Sequence, residues 1–393
     1  MLKSEITVLL FLILEEKAKL KSFNAGRYVQ QNNYKSFQPN FINREWELEN
    51  MELQHLLGKA DRELGRLDMY SDYIPNIDLF IRMHVLKEAT QSSKIEGTQT
   101  NMEDALLDRE DIAPEKRDDW EEVQNYVEAM NDAIEKLNTL PFSGRLARET
   151  HKILLQGVRG EHKQPGEFRQ SQNWIGGASI DDAVFIPPIH ATIGELIGDM
   201  EKFAHNDAHF FPELLKIALI HYQFETIHPF LDGNGRVGRL LITLYLVSKG
   251  ILKKPVLYLS DFFERNRTLY YDNLMVVREK NDLLQWLKFF LVGVIETAQS
   301  SIDTFDKTLQ LQREVDEKIQ SLGRRAANAQ KVVHYLYQRP VINVAIVARV
   351  AEISSTPAYK LIADLERLEI IKEMTGAKRG RTYLFTSYVN LFT

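Results

Sequence analysis

Between Ile227 and Leu241 the chain reads IHPFLDGNGRVGRLL, and most of these side chains have a chemical use. An apolar run ends near Ile227, a loop with two glycines follows, and a second apolar run starts near Arg236. Gly233 and Gly235 permit backbone angles that expose successive N–H groups, and such a nest ahead of a helix binds anions, phosphates above all. Arg236 and Arg239 are three apart, so they project from neighbouring positions on one side of that helix. Two guanidinium groups beside an anion nest suit a polyphosphate better than a single carboxylate. Asp232 supplies a hard oxygen of the kind a phosphate-bound Mg2+ favours. His228 can accept a proton near neutral pH. Each residue alone is ordinary, since a lone His is usually structural and a GNG usually a turn. Together they point to metal-assisted phosphoryl or nucleotidyl transfer.

The elements that must position these residues are mostly helices. Apolar spacing predicts helices over 46–67, 78–94, 115–137, 143–158, 192–204, 212–227, 236–249, 261–280 and 282–322. Residues 164–188 (QPGEFRQSQNWIGGASIDDAVFIPP) break the pattern with Gly, Pro and short β-prone runs, and predict a hairpin or flap inserted among helices. Near the end, helices over 326–338, 344–351 and 356–368 precede two short strands around a Gly- and Lys/Arg-rich turn. Three helices and a hairpin form the winged helix-turn-helix pattern. The reading is a mainly α fold: an N-terminal helical module over 1–112, a catalytic domain over 113–295, a linking helix over 296–323 and a winged helix over 324–393.

The length of 393 residues favours two or three domains. There is no cysteine, which excludes disulfides, zinc–thiolate sites and thiol nucleophiles and fits a reducing, cytoplasmic setting. The run VLLFLIL at 8–14 is far too short to span a membrane and lacks a cleavage site after it. It reads as a short extra helix or an upstream extension. His205 and His209 have i, i+4 spacing without a third ligand, so they predict no metal site. His221 reads as a core histidine.

HPFLDGNGRVGR resembles the signature of Fic-domain proteins, His-x-Phe-x-(Asp/Glu)-Gly-Asn-Gly-x-x-x-Arg with its usual extra Arg. The resemblance extends over roughly residues 23–290. It implies transfer of AMP from ATP to a Tyr, Thr or Ser hydroxyl of a target protein, the protein itself among the candidates, with release of pyrophosphate. By position it implies that His228 deprotonates the hydroxyl and that Asp232 holds Mg2+ on the α- and β-phosphates. Gly233, Asn234 and Gly235 would form the anion hole, Arg236 would contact the phosphates and Arg239 the γ-phosphate. The flap, with Ile180, Ala183, Val184 and Phe185, would align the target by strand addition. Residues 262–278 are similar to the element covering the adenosine, which makes Asn266, Tyr270, Tyr271 and Arg278 candidate ATP contacts.

QSSKIEGT at 91–98 also resembles the family's inhibitory motif, (Ser/Thr)-x-x-x-Glu-(Gly/Asn), here Ser92, Glu96 and Gly97. Its place ahead of the signature is similar to class II of the family. A Glu96 carboxylate on Arg239 would take the partner meant for the γ-phosphate. Two other readings compete: a hydrolase that uses Glu96 to remove AMP, and a DNA-binding regulator with a nucleotide-sensing Fic domain. The resemblance also makes a homodimer an expectation.

Charge is uneven along the chain. Residues 324–393 carry 11 Lys and Arg against 5 Asp and Glu, a net of +6, which leaves −12 for the rest of a chain whose total is −6. Ser355, Tyr359 and Lys360 on the recognition helix, with Lys378, Arg379 and Arg381 in the wing, are candidate DNA contacts. Asp364, Glu366 and Glu369 put negative charge on the same stretch, so protein contact is favoured over DNA.

Overall fold

The protein is described by a computed structural model over residues 18–19, 23–47, 49–73, 77–158, 160, 162–208, 211–374, 376 and 380–393. The apolar run at 8–14, His209, Lys378 and Arg379 lie outside the described residues. Among the described residues no helix is long and apolar enough to cross a membrane.

Two helices form the centre. In α7 (Glu213–Ile227) every residue from Leu214 to Ile227 is buried, and α8 (Asn234–Ser248) beside it is almost as enclosed. Helices that are apolar all round belong in a core and must be wrapped by others. The wrapping helices are α1 (Met51–Tyr73), α2 (Ile77–Ile95), α3 (Met102–Ala105), α4 (Arg117–Lys136), α5 (Gly144–Leu154) and α6 (Ile193–Ala204). α9 (Ser260–Arg265), α10 (Arg267–Lys280) and α11 (Leu283–Gln320) complete the shell, with α1 packed along α11, α2 against α9 and α4 against both α2 and α5. Side-chain caps set several starts: Ser143 accepts from Leu146 N (3.3 Å) and Asp282 from Gln285 N (3.0 Å).

Three expectations change. The helix predicted over 261–280 is broken at Asn266, whose Nδ2 donates to the Phe262 carbonyl (2.9 Å) and competes with the backbone ladder. The stretch before α1 holds strands: β1 (Ala18–Lys19) pairs with β4 (Trp46–Glu47), and β2 (Gly26–Gln30) with β3 (Lys35–Pro39), so helix begins at Met51 and not at residue 46. β2 is largely exposed and carries little apolar alternation, which is why its sequence gave no strand signal. The predicted hairpin over 164–188 is a loop with one antiparallel bridge, Ile175 to Phe185, and a single-turn 3-10 helix at Ile180–Asp182. Phe37 N of β3 donates to Ile186 O (2.9 Å), so the β2–β3 hairpin supports this flap from behind.

After α11, which runs unbroken through the expected boundary at 295, come α12 (Ala326–Gln338), β5 (Val341–Asn343), α13 (Val344–Ala351), α14 (Ser355–Arg367), β6 (Lys372–Glu373), β7 (Thr382–Leu384) and α15 (Thr386–Val389). The sheet order is β5–β7–β6, all antiparallel. β5 was not foreseen, being only three residues long.

Candidate active site

The site lies in the turn between α7 and α8. His228 ends α7 in the left-handed region (φ 49°, ψ 62°), its N–H still donating to Phe224 O at 2.9 Å. A non-glycine residue there costs of order 1–2 kcal/mol, and such strain collects at functional sites. Gly233 (φ 71°) caps α8. Asn234 closes the loop on itself: its Oδ1 accepts from Phe230 N (2.8 Å) and its Nδ2 donates to Phe230 O (2.9 Å). The start of α8 is thus fixed, with its first N–H groups and its positive dipole end facing the loop.

Residues outside the signature hold this loop from beneath. Arg169, buried, donates to the carbonyls of His228 (2.9 Å), Ser171 (3.0 Å) and Pro188 (2.5 Å), tying the catalytic turn to the base of the flap. Burial lowers its pKa to about 10, still a cation at neutral pH. Asn173 Nδ2 adds a bond to Phe230 O (2.9 Å). His151 stacks on Phe230 at 3.8 Å and 7°. Its Nδ1 accepts from Gly166 N (2.8 Å), so the proton is on Nε2, which donates to Asp232 O (3.0 Å). Sequence reasoning missed all three roles. The one hint was a basic residue and a polar amide in a turn-rich stretch.

Burial, and then the charge of Arg278, push the His228 pKa down to about 3, so the imidazole is neutral and able to accept a proton at pH 7. The Asp232 side chain is about half exposed (46%); its Oδ1 accepts from Gly233 N (2.6 Å) and stands 3.8 Å from Arg236. Among the described residues no three His, Asp or Glu side chains gather as a metal cage. One accessible carboxylate beside a phosphate nest still fits Mg2+, which binds through one or two carboxylates plus substrate phosphates.

Both arginines of the signature are buried and both meet carboxylates from helices that precede the signature, Glu96 and Glu122. Arg239 donates through Nε to Ser92 Oγ (2.9 Å) and through one terminal nitrogen to Ser92 O (2.9 Å) and Glu96 Oε1 (2.7 Å). Burial opposes the charged form of Glu96, but Arg239 outweighs it and holds the carboxyl below its ordinary value. The same pair raises the Arg239 pKa against the effect of burial. Gly235 makes this approach feasible, because a Cβ there would collide with Glu96 Oε1. Gly97, at φ 105°, turns the chain away after α2. Arg236 donates to Glu122 Oε2 (3.1 Å) on α4.

The outer candidates divide. Tyr271 is 38% exposed, whereas Tyr270 is 1% exposed. Tyr270 packs on Phe263 (4.5 Å), and its hydroxyl donates to His221 Nε2 (2.9 Å), because His221 Nδ1 must donate to Gly238 O (2.9 Å). Tyr270 is buried in the core beside His221, which is buried as expected. Arg278 is turned to the end of α7, donating to Glu225 O (3.1 Å) and Thr226 Oγ1 (3.2 Å), with its guanidinium 4.0 Å over the Phe185 ring. Asn266 is taken up by the break before α10. In the flap, Val184 is 64% exposed but Phe185 is 2% exposed, packed on Phe37 and Arg278. Phe185 anchors the flap, while Ile180 and Ala183 are only partly covered.

A neutral histidine, a helix-start anion nest and two buried guanidinium groups on a helical scaffold define a phosphate-handling site. Residues 54–135 match the Fic/DOC family N-terminal model and residues 141–246 match the Fic/DOC family model. The chain is 34% identical over 142 residues to Protein adenylyltransferase Fic of Aedes aegypti, a match covering 36% of this chain and 25% of that relative. The chain thus spans about a quarter of the length of the curated relatives it matches. The fold is shared with a Fic family protein from Desulfovibrio desulfuricans G20 (TM-score 0.55, 19% identity, 86% of this chain and 97% of that one). A Fic domain containing signaling protein from Bacteroides thetaiotaomicron is similar too (TM-score 0.51, 18% identity, 65% and 96%).

Proposed function

We propose that the protein is an adenylyltransferase that moves AMP from ATP to a hydroxyl of a target protein and is held back by Glu96. The observation that carries this reading is the Glu96–Arg239 pair at 2.7 Å, set at the start of α8 beside a neutral His228. In the reaction, His228 Nε2 takes the proton of the target hydroxyl as its oxygen attacks the α-phosphorus. The new P–O bond forms as the bond to the β-phosphate oxygen breaks, and pyrophosphate leaves. The N–H groups of the anion nest and the two guanidinium groups stabilise the charge that develops. Mg2+, held by Asp232, would screen the phosphates and favour the leaving group. With Glu96 on Arg239, the γ-phosphate loses its partner and the triphosphate cannot settle with its α-phosphorus in line. The exposed Val184 and the flap supported by β2–β3 suit the docking of an extended target segment.

The described residues of 324–393 have the order helix, strand, helix, helix, strand, strand and a last short helix, and we read them as a winged helix. Asp364 is buried and paired with Arg325 (3.0 Å), so its charge is turned away from the exposed face that carries Tyr359 and Lys360. That removes one of the three carboxylates weighed against DNA at this helix.

The test uses wild type, Glu96→Gly and His228→Ala with ATP and Mg2+, alone and with cell lysate, read by intact-mass spectrometry. AMP added by Glu96→Gly, little by wild type and none by His228→Ala is the expected result. No AMP from any of them overturns the transferase reading and turns attention to removal of AMP from a pre-modified protein.

A further inference from the structure

Arg236 is enclosed (4% exposed), and its partner Glu122 comes from the middle of α4, also buried. The contact uses one terminal nitrogen of the guanidinium, at 3.1 Å. The other terminal nitrogen faces Asp232 at 3.8 Å, and Nε is buried without a partner. A buried N–H with no acceptor is costly, and a phosphate oxygen in the nest would satisfy it. Glu122 is unlike Glu96 in one respect that decides its role. Glu96 stands just past the end of α2 with about a third of its side chain exposed (35%), whereas the Glu122 side chain is 9% exposed in the body of a helix. Glu96 can leave its arginine. Glu122 cannot without unpacking α4.

Glu122 Oε2 also accepts from Thr98 Oγ1 (3.3 Å), two residues beyond Glu96. One turn further along α4, Tyr126 donates to Glu88 Oε1 (3.0 Å) on α2. So α4 grips α2 in its middle and again just past its end, and the second grip is on the oxygen that also holds Arg236.

We propose that Glu122 is a positioning residue with two tasks: it orients Arg236 toward the nucleotide phosphates, and through Thr98 it seats the segment that carries Glu96. This rests on the adenylyltransferase reading. Glu122 Oε2 serves Arg236 and Thr98 at once, so a change at either group is felt at the other through one atom.

The experiment separates the two tasks with the full chain, ATP as the probe and AMP incorporation as the readout. In the Glu96→Gly background, where the brake is absent, Glu122→Ala should raise KM for ATP about tenfold or more with a smaller change in kcat, as expected for one lost charge-assisted contact. Glu122→Gln, which keeps the shape and an acceptor oxygen, should restore part of that KM and guards against a folding failure; thermal melting checks both variants. Thr98→Val should raise basal AMP incorporation several-fold in the otherwise wild-type chain and change nothing in the Glu96→Gly background. An unchanged KM in both Glu122 variants, or a loss confined to kcat and melting temperature, overturns the positioning role. An effect of Thr98→Val that persists without Glu96 overturns the seating role. If Glu96→Gly alone incorporates no AMP, the transferase reading itself has failed, independently of Glu122.

Discussion

The turn after α7, which carries the proposed base, and the end of α2, which carries the proposed brake, meet at Arg239, yet they are built differently. The turn is fixed by bonds to backbone: Asn234 to Phe230, Arg169 to three carbonyls, His151 to Asp232 O. None of these contacts needs to break for the reaction to proceed. The end of α2 is held on Arg239 by the side chain and carbonyl of Ser92 and by a carboxylate that is partly solvated. Glu96 reaches solvent while Arg239 is buried, so the carboxylate can give way to another anion such as a phosphate, which keeps the buried guanidinium paired. The chemistry is preorganised and the control over it is removable.

Substitutions can break this comparison at several depths. The largest effect expected is on rate: His228→Ala in the Glu96→Gly background should lower AMP incorporation by about a hundredfold or more, the usual contribution of a general base. A residual rate close to the parent would show that the turn supplies only binding. Next, Glu96→Gly should raise basal incorporation and tighten ATP by about tenfold or more, since it frees a buried guanidinium for the γ-phosphate; calorimetry with ATP reads this directly. Unchanged affinity would mean that the pair at 2.7 Å does not compete with nucleotide. Asn234→Ala should destabilise the fold by about 1–2 kcal/mol in denaturant melts, because the Phe230 N–H loses its partner and the Phe230 carbonyl keeps only Asn173. If the turn is as fixed as it looks, the same substitution in the Glu96→Gly background should also lower the rate without altering the brake.

The smallest effect is with pH. Burial pushes His84, His221 and His228 down to about 3 and His151 to about 4, from an ordinary 6.5. The unfolded chain therefore binds more protons than the folded one between about pH 6.5 and 3, and stability falls as pH falls through that window. Glu225, pushed up by burial to about 7 from 4.5, acts in the opposite sense, losing stability as pH rises from 4.5 to 7. Below pH 4.5 its contribution no longer changes, so the histidine effect is steepest there. Melting temperature against pH checks this, and His151→Asn should flatten the curve slightly. A curve with no acid limb would mean that these rings are solvated.

Part of this was legible beforehand. The signature from His228 to Arg239 and the helices around it follow from residue type and local spacing, the motif from Ser92 to Gly97 was implied only by resemblance to the Fic family, and the structure brings Glu96 and Arg239 within hydrogen-bond distance across 143 positions of sequence. The flap and the adenosine-side residues were less legible. Tyr270 and Tyr271 are adjacent and chemically alike, and only the packing of α10 on α7 puts one in the core and leaves the other accessible. Phe185 and Val184 divide the same way. No local pattern separates such neighbours, because burial is set by what lies opposite.

The sequence by itself determined the reactive groups and the helical scaffold, since these depend on chemical identity and short-range periodicity, whereas Glu96 as partner of Arg239 was implied only by the family resemblance. Tertiary structure alone decided that His151, Arg169 and Asn173 hold the turn, that Glu122 shares one oxygen between Arg236 and Thr98, and that Tyr270 serves the core. The reason is physical: a hydrogen bond is read from distance and angle, and those are fixed by the packing of helices far apart in the chain.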